Sequence, residues 1–120
     1  MKLGSSEGSF VVEECVDEGE TSAGRPVAPL HLHRNEDEAW YVLEGALGFR
    51  VGDESREVGA GSGIVVPRGT PHTFWNAGGG RTRYLIVMAP DTARLVEAIH
   101  SGKTTDVRAL FEEHGSELLA

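Results

Sequence analysis

The chain has a single cysteine, Cys15, in 120 residues, so it can form neither an intrachain disulfide nor a thiolate metal cluster of its own. Long hydrophobic runs are also missing. The longest, Tyr84 to Ala89, is far too short to cross a bilayer, and the polar start from Met1 to Phe10 has no apolar core of signal-peptide length. We therefore expect a soluble, cytoplasmic protein with no membrane partner. Positive charge is scarce, with 11 Lys and Arg against 19 Asp and Glu and a net charge of −8. The basic residues are scattered, and a chain so acidic repels phosphate backbones, so nucleic acid is not an expected partner.

Several catalytic signatures are absent too. The segment Ala60-Gly61-Ser62-Gly63 has the wrong order for a serine-hydrolase elbow. Ser101-Gly102-Lys103-Thr104 imitates the end of a phosphate-binding loop, but Glu97 stands where the first glycine is required and no strand precedes it. Cys15 lies beside Glu14 and Asp17, whose charge raises a thiol's pKa, so it reads as a structural strand cysteine.

Glycine, by contrast, is plentiful at 16 residues, and together with 39% apolar and 25% charged residues it describes a turn-rich globular chain of one domain's length. Short β-patterned segments recur between turn residues: Ser9 to Val16, Val27 to His33, Glu38 to Leu43, Leu47 to Val51, Ser55 to Val58, Ile64 to Val66, His72 to Asn76 and Arg83 to Met88. Such regular spacing predicts an all-β barrel or sandwich. Asp17 to Pro26 reads as a loop. After Pro90 the pattern changes. Leu95, Val96 and Ile99, then Val107, Leu110, Phe111 and Leu118, recur at helical spacing, with Asp91 and Asp106 as N-caps, so two short amphipathic helices are expected to close the chain.

The histidines carry the chemistry. Strand periodicity puts His31 and His33 on one face and Leu30 and Leu32 on the other. After four intervening residues comes Glu38, which shares a face with Trp40 and Val42; the expectation is that it joins the two imidazoles on one sheet face, from a neighbouring strand. His72, separated from Pro67-Arg68-Gly69 by two residues, supplies a fourth group from a distant strand. Glu36 and Glu44 are rival carboxylates, Glu44 the weaker because it sits in a turn. Neutral imidazole and carboxylate together suit Fe, Mn, Ni, Co, Zn or Cu. His100 and His114 are read as solvent-facing or hydrogen-bonded. Gly45, Gly61, Pro67 and Gly69 are read as shaping turns beside the site. Trp40 and Phe74 share strand parity with Glu38 and His72, and either line a cavity around the ion, where they would stack on an organic ligand, or fill the core.

These residues resemble the two motifs of the cupin superfamily, matched from Gly24 to Gly45 and from Gly61 to Asn76, with six residues rather than the usual five between Gly24 and His31. The resemblance implies a double-stranded β-helix, or jelly-roll barrel, over residues 1–90, with residues 91–120 a helical extension packed on the barrel or on a dimer partner. It implies one divalent ion on His31, His33, Glu38 and His72, and a homodimer that covers an open sheet edge. Among quercetin-dioxygenase-like cupins the expected activity is an oxygenase acting on a small enol, diketone or flavonol, with Glu38 as ligand, general base or both. The alternatives are non-redox, metal-dependent isomerase, cyclase or hydrolase chemistry, and a non-catalytic module that binds a small molecule or a metal.

Overall fold

The computed structural model describes residues 2–4, 8–19, 24–103 and 106–119. The expected loop from Asp17 to Pro26 therefore lies partly outside the described residues, as does Thr104. In chain order the elements are β1 (Lys2–Gly4), β2 (Val11–Asp17), β3 (His31–His33), β4 (Glu38–Glu44), β5 (Ala46–Val51), β6 (Glu54–Gly59), β7 (Gly63–Val66), β8 (His72–Asn76), β9 (Thr82–Met88), α1 (Pro90–Ser101), α2 (Val107–Glu113) and β10 (Ser116–Leu118).

The strands form two antiparallel five-stranded sheets, ordered β1-β2-β9-β4-β7 and β10-β3-β8-β5-β6. This is the all-β architecture that the spacing of short strands implied, in the jelly-roll form that the family resemblance implied. Each sheet buries one face, and the sequence shows it by alternation. In β4, Glu38, Trp40 and Val42 are buried while Tyr41 is exposed; in β9, Thr82, Tyr84, Ile86 and Met88 are buried and the residues between them only half so. Between the sheets an aromatic series runs from Trp40 to Phe49 at 5.1 Å, Phe49 to Phe74 at 5.6 Å and Phe74 to Tyr84 at 5.8 Å. Offset and edge-on contacts at these separations add to the stabilisation from apolar burial.

Three local expectations need correction. The strand expected from Val27 begins only at His31, since Pro29 has no N–H to give to a ladder; upstream the chain touches the sheet through a Pro26–Trp75 bridge and the Val27 N–H donating to the Phe74 carbonyl at 2.7 Å. Helix α1 is not capped by Asp91. Its N-cap is Ala89, with no side-chain cap, and Pro90 occupies the first turn, where its fixed φ suits a helix start and its missing N–H costs nothing. Asp106 does cap α2, accepting from the Ala109 N–H at 3.0 Å.

The helices do not close the chain. Leu118, expected on the second helix, lies in β10, which follows a turn at Gly115 (φ 67°) and pairs antiparallel with β3. Ser116 stands opposite His33 and Leu118 opposite His31. The two helices nonetheless bury apolar side chains as their periodicity implied, with Leu95 only 1% and Phe111 only 2% exposed.

Candidate metal centre

The structure brings His31, His33, Glu38 and His72 into one buried cluster, with one potential ligand atom from each lying within 4.8 Å of all the others. The route differs from the expected one. β3 and β8 are hydrogen-bonded neighbours, with His31 directly opposite His72, so the three imidazoles come from one sheet. Glu38 belongs to the other sheet and reaches the cluster from across the sandwich. The short segment Arg34 to Asp37 carries the chain between sheets instead of forming a hairpin within one, and so the distant strand supplies the near neighbour and the near strand the opposing group.

Outside the cluster each imidazole is held through Nδ1. His31 Nδ1 lies 2.7 Å from the Pro29 carbonyl and His72 Nδ1 lies 2.9 Å from the Thr70 carbonyl. A carbonyl can only accept, so both Nδ1 atoms carry hydrogen and, in the neutral rings, both Nε2 atoms present lone pairs. His33 Nδ1 lies 2.7 Å from the Ser116 hydroxyl.

Towards the centre, Glu38 Oε1 lies 3.1 Å from His33 Nε2 and 3.2 Å from His72 Nε2. His33 Nε2 is buried without hydrogen-bond geometry to any partner among the described residues. A neutral His72 can donate to Thr70 or to Glu38, not to both. Lone pairs converging on a carboxylate away from water repel one another unless a cation stands among them, so the donor set fits a divalent metal ion.

The electrostatics agree with a site built for positive charge. Burial pushes the Glu38 carboxyl up, but the His33 and His72 imidazoles at 3.1 and 3.2 Å outweigh it, and the group ends well below the ordinary carboxylate range. His31 moves down to about 4, first through burial and then through the neighbouring His72. It therefore stays neutral, the form that binds metal.

Neither rival carboxylate reaches the cluster. Glu36 accepts from the Thr92 hydroxyl on α1, and Glu44 lies 3.6 Å from Arg81. His114 Nδ1 sits 2.6 Å from Asp91 Oδ1, and His100 is exposed. The Cys15 thiol is pushed up by burial first and Glu13 next, in keeping with a structural role.

A cavity of about 180 Å³ opens on the cluster. Its walls include Trp40, Phe74, Met88, Leu95, Val96 and Phe111, along with His31, His33 and Glu38 themselves. Trp40 and Phe74 belong to the core, at 2% and 6% exposure, and also line this cavity. Sequence reasoning missed Phe111, whose ring centroid lies 5.4 Å from that of His31, and Ser116. Helical periodicity marked Phe111 as apolar without showing where its helix would dock, and a lone serine after the last helix carried no signal.

Comparison with known proteins gives a consistent picture. The sequence profile of the Cupin domain matches residues 17–88. Among solved structures, the cupin domain of Schizosaccharomyces pombe Cnp3 aligns at 22% identity and a TM-score of 0.62, over 85% of this chain and 69% of that one. TT1209 from Thermus thermophilus aligns at 26% identity and a TM-score of 0.60, over 73% of this chain and 77% of that one. A sugar phosphate isomerase of the cupin superfamily from Silicibacter pomeroyi aligns at 25% identity and a TM-score of 0.58, over 68% of this chain and 51% of that one. The chain thus spans between half and two thirds of the length of several matched structures. No curated protein matches it.

Proposed function

We propose that this chain, which belongs to the cupin domain family through its match over residues 17–88, binds one divalent metal ion on His31, His33, Glu38 and His72 and acts with it as an oxygenase on a small enol or diketone. The observation that carries this reading is the apolar cavity opening on a buried set of three imidazoles and a carboxylate. A bound ion would supply Lewis acidity and, where redox-active, one-electron chemistry with dioxygen.

The chain's own residues do the rest. Trp40, Phe74, Met88, Leu95 and Phe111 exclude water and present flat and aliphatic surfaces to an apolar substrate. Glu38 serves as ligand and receives the substrate's acidic proton on a carboxylate oxygen. Because its pKa is held low, that transfer favours substrates whose proton is already acidified, as in a diketone. A cavity of about 180 Å³ is little larger than the ~150 Å³ engineered pocket that takes up benzene, so a single ring or a short diketone suits it better than a three-ring flavonol.

A second reading, isomerase or cyclase chemistry by a non-redox ion, draws on the Silicibacter pomeroyi neighbour, described as a sugar phosphate isomerase. A phosphate group is a poor fit here, since neither Arg nor Lys is among the described residues lining the cavity. We also place the protein in the cytoplasm as a homodimer, a reading supported by its lone cysteine and by the exposed Tyr41 and Val65 on neighbouring strands β4 and β7.

Oxygen uptake with single-ring and short-chain diketones, after loading with Fe, Mn, Ni, Co or Cu in turn, tests the oxygenase reading. Uptake coupled to substrate loss supports it. Turnover that continues without oxygen moves the assignment to the second reading, and binding without turnover under every condition moves it to a non-catalytic module.

A further inference from the structure

The three imidazoles of the cluster are not held alike. His31 and His72 are oriented by backbone carbonyls of their own loops, two residues upstream in each case. His33 depends on a side chain from the other end of the chain: Ser116 Oγ, 2.7 Å from its Nδ1, on the C-terminal strand β10. Ser116 is fully buried. Its hydroxyl has one hydrogen; with the His114 carbonyl 3.4 Å away as an acceptor for it, the oxygen's lone pairs are available to accept from His33 Nδ1–H.

We propose that Ser116 is a positioning residue for the metal centre: by accepting from His33 Nδ1–H it holds the hydrogen off Nε2 and keeps that atom's lone pair turned into the cluster. The inference rests on the metal-binding reading above. Without this acceptor the hydrogen is free to move to Nε2, where Glu38 Oε1 waits 3.1 Å away to receive it, and the proton then takes the place of the ion. The C-terminal strand thereby becomes part of the metal site although it contributes no ligand. Among the three imidazoles, His33 is the one whose orientation a side-chain substitution can remove.

Two readouts test this on the full chain. In metal-free protein, long-range 1H–15N NMR identifies which ring nitrogen of His33 carries the hydrogen: Nδ1 in the native protein, and Nε2 or rapid exchange between the two in Ser116→Ala. Zn2+ affinity, measured by competition with a chromophoric chelator, should fall about 10–100-fold in the same variant, as when other outer-sphere partners of metal-binding histidines are removed. Glu117→Ala is the control, since it cuts the Arg34–Glu117 contact (3.2 Å) that also ties β10 to the end of β3 while leaving the hydroxyl in place. It should hold Zn2+ within about threefold of the native value. Should Ser116→Ala fail to fold, Ser116→Cys, with a similar shape and a much weaker acceptor, takes its place and should show the same two changes in smaller degree.

The proposal is overturned if His33 keeps its Nδ1 hydrogen in the folded variant, if affinity is unchanged, or if Glu117→Ala weakens Zn2+ as much as Ser116→Ala does. Failure of the underlying metal reading looks different: native protein that takes up no ion, or His72→Ala that binds as tightly as native. In that event the tautomer measurement on metal-free protein still decides what Ser116 does to His33.

Discussion

The metal-free protein should be acid-labile through one identifiable ring. His31 is 6% exposed, 4.4 Å centroid to centroid from His72 and 5.4 Å from Phe111. Burial, followed by the His72 charge, brings its folded-state pKa to about 4 from an ordinary value of 6.5. Between those two values the unfolded chain binds a proton that the folded chain refuses, so stability is fully present above 6.5 and is lost as pH falls towards 4. A difference of about 2.5 at about 1.4 kcal/mol per pH unit amounts to about 3 kcal/mol, a large part of a small domain's stability. Glu38 acts with the same sign at lower pH. Its folded pKa is depressed, so the stability its carboxylate contributes above 4.5 is lost as pH falls further.

The assay is urea denaturation of chelator-treated protein at about pH 7, 6, 5 and 4.5, native against His31→Phe, which keeps a ring beside Phe111 and cannot take a proton. Titrating groups away from the cluster contribute equally to both proteins, so the difference between the two curves reports His31 together with its coupling to His72, His33 and Glu38. The native advantage should shrink, or its deficit grow, by about 2–3 kcal/mol across this range. Two parallel curves would refute the placement of His31 as a buried neutral ring.

Three further outcomes are expected. Phe111→Ala, at a site 2% exposed, should lower stability by about 3–5 kcal/mol in urea denaturation and enlarge the cavity beside His31 enough to weaken binding of small apolar ligands. Gly45→Ala should cost about 1–3 kcal/mol in thermal or urea denaturation with metal affinity intact, because φ there is 80° and a Cβ would come within 2.7 Å of the Arg81 carbonyl. Glu36→Gln should leave metal content at the native level by elemental analysis, since that side chain faces Thr92 and not the cluster.

Much of this architecture was legible in the sequence because it is periodic. Alternation along Glu38–Glu44 and Thr82–Met88 fixes which side chains enter the core, and the spacing of His31, His33, Glu38 and His72 identifies a set whose members do meet. Periodicity is local, however, and it is silent on which sheet a strand joins. Glu38 was therefore expected beside the imidazoles and is found opposite them, whereas His72 was expected at a distance and is paired with His31. Strand β10 escaped notice because three residues are too few to show alternation, and Leu118 continued a helical spacing by coincidence. Ser116 could not have been found from the sequence, because its partner His33 is 83 residues away and a serine at a strand start is ordinary.

The most direct measurement is the metal content of the purified protein, native and His72→Ala, by elemental mass spectrometry. The native chain should carry close to one divalent ion, and the variant, which loses the ring that pairs with His31 and contacts Glu38 at 3.2 Å, should lose most of it. Native protein that takes up no divalent ion when offered Fe, Mn, Ni, Co, Zn and Cu, or a His72→Ala variant that retains a full complement, would contradict the metal centre.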